Sequence, residues 1–152
     1  MSTRGIIARK VGDGWEGRYH HWDSYPAGLG KALFSLYHGY FQGDLQKMLK
    51  VLIDDHPAGW STICEKDFHI EPGFNNLSSA VNKEHREKRP ECYCHGDRHE
   101  KGMLLSPQDD LSDIEFVYIF DELDKTLVIV SVGKGSTSIN LDVDKPDFDV
   151  IE

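Results

Sequence analysis

The amino-acid sequence predicts an α+β fold in a single domain. Three observations predict it: a short strand pair at the start of the chain, two helical patterns after it, and two strongly apolar strands near the end. A chain of 152 residues, of which 39% are hydrophobic, is long enough to bury a core of its own. We assign this domain to residues 1–141 and predict a solvated acidic tail at residues 142–152.

The first elements are predicted to be a β-hairpin followed by two consecutive helices. Residues 4–21 form two short runs on either side of Gly-Asp-Gly at positions 12–14, which is typical of a tight turn. Apolar residues then recur every three or four positions over residues 29–40, as an amphipathic helix requires. The same spacing over residues 44–53, with Asp44 in the capping position, predicts a second helix.

A second hairpin is predicted near the end of the chain. Residues 116–120 and 126–132 are apolar on both faces of a strand, and the two runs flank a polar turn. Strands that are apolar on both faces usually lie inside a covered sheet, so we expect this hairpin to form the sheet centre. Residues 66–113, which precede it, are predicted to be a long polar loop region, because turn-forming residues mix there with a charged run at 83–89.

Charge and hydropathy exclude several classes of protein. The formal net charge of −9 opposes binding to nucleic acid through a broad cationic face. The sequence has no apolar run long enough to span a membrane and no secretory signal pattern, so we expect a cytoplasmic protein without membrane contact.

The loop at residues 19–30 carries the densest mixture of functional side chains. A general base is predicted at His21 or His20, with Asp23 as the carboxylate that orients it. Rings and hydroxyls there can contact a ligand, and open amides at a helix start favour anions. The candidate ligand contacts are Tyr19, Trp22, Ser24, Tyr25, Gly28 and Gly30. The alternative is structural, with Asp23 or Ser24 as helix caps, Trp22 in the core and the glycines in turns.

A second candidate site is a cluster of zinc-ligand residues. Thiolates and imidazoles bind zinc tetrahedrally, and a metal could hold the loop region together as a staple. The spacing crowds the ligands, so we expect Cys64 or His85 to complete the site; the alternative is a polar loop with reduced cysteines. The candidate ligands are Cys92, Cys94, His95 and His99. A weaker candidate is Ser2, a nucleophile if Met1 is removed.

The chain resembles a group of small uncharacterised proteins of actinobacteria and their phages. The resemblance covers most of the sequence and rests on four segments: Thr3-Arg4-Gly5, the run from His21 to Gly30, His56-Pro57-Ala58-Gly59-Trp60-Ser61, and Cys92-Tyr93-Cys94-His95-Gly96-Asp97. It implies an actinobacterial host and a phage or prophage origin, and it implies no catalytic residue.

Three functional hypotheses follow. The leading one is a binding protein that holds a small polar or anionic ligand, such as a nucleotide derivative, in the loop at residues 19–30. The second is a hydrolase that uses the His/Asp general base of the same loop. The third is a module that binds a host protein through the charged segment at residues 83–100.

Overall fold

A mixed β-sheet forms the framework of the computed structural model, which describes residues 3–56, 58–63, 91–92 and 104–151. The strands are β1 (Gly5–Val11), β2 (Gly14–His20), β3 (Trp60–Thr62), β4 (Glu91–Cys92), β5 (Phe116–Asp121), β6 (Thr126–Ser131) and β7 (Gly135–Asn140). They lie in the order β4-β3-β2-β1-β5-β6-β7. The α+β fold class is therefore confirmed.

Both predicted hairpins are present, and they lie side by side. Strands β1 and β2 pair antiparallel, as do β5 and β6, and the two hairpins join through parallel pairing of β1 with β5. The central strand is β1, so the second hairpin lies beside the centre of the sheet and does not form it. Strand β7 covers the outer edge of β6. Its neutral, hydroxyl-rich sequence lacks the apolar alternation that predicts strands.

The helical segments each combine an α-helix with a π-helical turn. A π-helical turn at Pro26–Gly30 leads into α1 (Lys31–His38), and α2 (Leu45–Leu49) leads into a second π-helical turn at Lys50–Asp54. The predicted cap of the second helix is confirmed, because the Asp44 carboxylate accepts a hydrogen bond of 3.0 Å from the Lys47 amide. None of the described helices has the length and apolar character of a membrane span.

The two faces of the sheet bury apolar residues unequally. The larger core lies between the sheet and the helices and is built on Ile7, Tyr118 and Phe120 from the central strands. The opposite face carries a smaller cluster around Ile6 and Val117, against which the segment 104–114 packs. Two parts of the predicted loop region are described: residues 91–92 form β4, and in the segment 104–114 Leu105 forms a bridge to Gly17 of β2.

The predicted acidic tail is mostly exposed, but its assignment as a solvated end is wrong at Phe148. Phe148 is buried, with its ring 5.6 Å from that of Phe34. The Tyr37 hydroxyl donates a hydrogen bond of 2.7 Å to the Asp142 carboxylate. Burial and this carboxylate raise the pKa of Tyr37 to about 12. The end of the chain thus packs against the first helix.

Gly17 provides a test of how closely strands β1 and β2 pack. A Cβ added at this position would clash with the Ile7 carbonyl oxygen and lie 2.7 Å from the Ala8 Cα. We expect Gly17→Ala to lower the free energy of unfolding by about 1–3 kcal/mol, measured by urea denaturation. The control is Gly14→Ala in the same strand, because its nearest neighbour would be 3.6 Å away. Equal stability of the two variants would contradict this packing.

Candidate functional site

The loop at residues 19–30 is fixed by its backbone before any side chain is considered. The amide of His21 donates to the Trp60 carbonyl at 3.1 Å, and that of Trp22 donates to Ser61 at 3.0 Å. These bonds extend the pairing between β2 and β3 beyond the end of β2. The backbone around Trp22 is therefore held as firmly as a strand.

Consecutive side chains point to opposite faces as β2 ends. His20 is buried on the side of the helices, whereas His21 is partly exposed on the same face as Tyr19. Ser24 is also buried. The loop thus divides into an inner set of side chains and an outer set.

The inner set is a hydrogen-bonded network around His20. Its Nε2 lies 3.0 Å from the Ile63 amide, which can only donate, so Nε2 accepts and the proton is on Nδ1. Nδ1 lies 2.8 Å from the Ser24 hydroxyl and donates to it, and that hydroxyl donates to the His20 carbonyl at 3.2 Å. Both ring nitrogens are occupied by bonds within the protein.

This environment disfavours a charged imidazole. Burial, with a smaller contribution from the neighbouring His21, lowers the pKa of His20 to about 3. A buried base with both nitrogens bonded internally has no route to a substrate proton. The predictions of His20 as a general base and of Ser24 as a ligand contact are therefore wrong, because both side chains are used to hold the fold.

Tyr118 extends the inner network to the central sheet. Its hydroxyl donates to the Ser24 carbonyl, and the Gly30 amide bonds to the same phenol. Burial raises the pKa of Tyr118 well above its usual value. Tyr118 was not among the residues predicted for this site, although a tyrosine within the apolar run 116–120 indicates a buried hydroxyl that needs partners.

The glycine amides are not open to an anion. The Gly28 amide donates to the Tyr25 carbonyl and the Leu29 amide to the Asp23 carbonyl, both at 2.9 Å. Together with the bond between Gly30 and Tyr118, these contacts occupy the amides that were predicted to bind phosphate. The prediction of Gly28 and Gly30 as anion contacts is wrong for this reason.

Asp23 serves the turn through its backbone. Its φ of 55° lies in the left-handed region, which aspartate tolerates better than most residues. No side chain caps the first helical segment, where Tyr25 is the N-cap residue, so the predicted capping by Asp23 or Ser24 is wrong. The carboxylate of Asp23 lies on an exposed residue.

The outer set displays three rings, Tyr19, His21 and Trp22, which we term the outer ring cluster; His21 contacts each of the other two. The Tyr19 hydroxyl lies 2.6 Å from His21 Nδ1, so Tyr19 occupies the position that was predicted for Asp23. The His21 and Trp22 rings meet edge to face, with centroids 4.6 Å apart. Trp22 is 48% exposed, so its alternative assignment to the core is wrong. Tyr25, 41% exposed, is a further ring on this loop.

No family model, curated protein or solved structure matches the chain. Function must therefore be inferred from the side chains themselves. The resemblance to small proteins of actinobacteria and their phages stays a prediction.

The predicted zinc ligands fall almost entirely beyond the part of the chain that the structure describes. Cys94, His95 and His99 lie outside it, as does Ser2, and Cys92 is described only through its backbone in β4. Within the described ranges, no group of three or more potential ligands is arranged for a metal ion. Zinc binding by the predicted cluster stays a prediction.

The state of His20 predicts how stability depends on pH. The pKa of His20 is lowered in the folded protein, so the unfolded chain binds more protons between about pH 6.5 and 3. The contribution of neutral His20 to the free energy of unfolding is fully present above pH 6.5. It falls by about 1.4 kcal/mol per pH unit on acidification through that window. Urea denaturation at several pH values should show a shallower dependence for His20→Gln than for the wild type. Parallel curves would show that His20 is not buried as a neutral ring.

Proposed function

We propose that the chain is a binding module whose outer ring cluster holds a small polar ligand with a flat ring, such as a nucleotide derivative. The single observation that carries the proposal is the half-exposed Trp22 on a backbone hydrogen-bonded to β3. Indole is among the largest apolar side chains and is normally buried for most of its surface. Its display on a rigid strand end offers a stacking surface to a ring.

The rings are held in place before a ligand arrives. His21 contacts the edge of Trp22 on one side and meets the Tyr19 hydroxyl on the other. A ligand that stacks there does not have to order these side chains first, which reduces the entropic cost of binding.

The surrounding charges favour one part of a nucleotide-like ligand. Asp23 places an exposed carboxylate directly after Trp22, and the chain as a whole carries a net charge of −9. A carboxylate accepts hydrogen bonds from amino groups such as those of a base, whereas it repels phosphate. The proposed ligand therefore stacks through its ring and directs any anionic group towards solvent, in agreement with the occupied glycine amides.

Isothermal titration against a panel of nucleosides, nucleotides and sugar phosphates tests this proposal. We expect one ring-containing class to bind and Trp22→Ala to weaken it about 5- to 150-fold, because stacking on an aromatic ring contributes about 1–3 kcal/mol. The matched control is Tyr40→Ala, since Tyr40 is 47% exposed but belongs to another surface loop. The absence of binding by a folded protein to every member of the panel, or equal binding by both variants, would contradict the proposal.

A hydrolase is the second candidate, favoured by the contact of 2.6 Å between the Tyr19 hydroxyl and His21 Nδ1. Such a bond orients an imidazole for proton transfer, the role first predicted for Asp23. Turnover of ester, amide or phosphoester substrates should then disappear in His21→Ala and persist in His38→Ala, an exposed histidine outside the loop. Turnover that survives His21→Ala would exclude this mechanism.

The remaining proposals concern the setting of the protein. We propose a cytoplasmic location for the binding module and, on the basis of the sequence resemblance, an actinobacterial host and a phage or prophage origin. Binding of a host protein through residues 83–100 is a third candidate, and those residues lie outside the described ranges, apart from the backbone of residues 91–92.

A further inference from the structure

Strand β7 forms one edge of the sheet and differs in composition from the rest of the chain. Its sequence Gly-Ser-Thr-Ser-Ile-Asn has no charged residue, although 28% of the whole chain is charged. All of its residues except Ile139 are exposed. Natural sheet edges are usually blunted by charges, proline or bulges, and the middle of this strand has none of these.

The register of β7 fixes which of its backbone groups face outwards. The Leu141 amide donates to the Lys125 carbonyl on the β6 side. The Asn140 amide donates to the Asp144 carboxylate on the other side. Because hydrogen-bonding direction alternates along an antiparallel strand, the amides and carbonyls of Ser136 and Ser138 point away from β6. Asp144 closes the edge at Asn140, which leaves Ser136 and Ser138 as a short open segment.

Charge is distributed along this edge with opposite signs at its two ends. Lys134 directly precedes β7, and Asp144 lies beside its last residue through the bond to the Asn140 amide. When two identical strands pair antiparallel, the start of each lies opposite the end of the other. The edge is therefore complementary to a second copy of itself.

We propose that β7 pairs antiparallel with β7 of a second copy of this chain, forming a symmetric dimer through a continuous sheet. In this register Ser136 of each copy exchanges backbone hydrogen bonds with Ser138 of the other, and the two Thr137 residues meet at the symmetry axis. Each Lys134 then lies opposite Asn140 and Asp144 of the other copy. The repulsion between two chains of net charge −9 is screened beyond about 8 Å at physiological salt.

Sedimentation velocity of the full chain over a concentration series at physiological salt tests this pairing. We expect the wild type to associate reversibly to a dimer and Ser138→Pro to remain a monomer. Proline removes only the outward amide of that position, so the bonds to β6 are retained. The matched control is Ser138→Ala, which keeps the amide and should associate like the wild type.

A second variant keeps the test decisive if Ser138→Pro does not fold. Lys134→Glu lies in an exposed turn and replaces two attractive contacts of the dimer by repulsive ones, so it should weaken association about 10-fold. Circular dichroism of each variant monitors the fold. A wild type that stays monomeric up to about 1 mM, or a dimer unaffected by either substitution, would overturn the proposal.

Discussion

The burial of a neutral imidazole at the end of β2 is the constraint on which the site depends. The His20 ring bonds to the Ile63 amide beyond β3 and to the Ser24 hydroxyl. The Ser24 carbonyl in turn accepts a hydrogen bond from the Tyr118 hydroxyl of β5. An unsatisfied polar group in such surroundings costs about 1–3 kcal/mol. The network therefore links these segments to one another, and its His20 and Ser24 side chains are shielded from solvent.

This constraint explains why the outer set of side chains lies on the opposite face of the sheet from the larger core. Once His20 faces the core, the alternation of the strand directs Tyr19 and His21 to the opposite face. The bonds from the His21 and Trp22 amides to β3 then hold the Trp22 backbone at the surface. The Trp22 ring is exposed because these hydrogen bonds hold its backbone at the surface. This exposure is the physical basis for proposing a binding function.

Local patterns in the sequence predicted the elements that depend on local physics. Short strand-like runs flanking turn residues predicted both hairpins, and the Asp44 cap follows from side-chain chemistry within one turn. The position of β7 and the burial of Phe148 depend on contacts with distant residues, and neither has a periodic signal around it. In the loop, His20 and His21 are consecutive, so the alternation of a strand gives them opposite directions. The inward direction of His20 depends on Ile63, which lies far along the chain.

The tautomer and charge of His20 are the most direct test of this account. Nitrogen-15 NMR of the imidazole distinguishes a protonated from an unprotonated ring nitrogen at each site. We expect the His20 ring to be neutral, with its proton on Nδ1, and to keep this state from about pH 8 to about pH 5. A His20 ring that carries its proton on Nε2, or that becomes charged near its ordinary pKa of about 6.5, would contradict it.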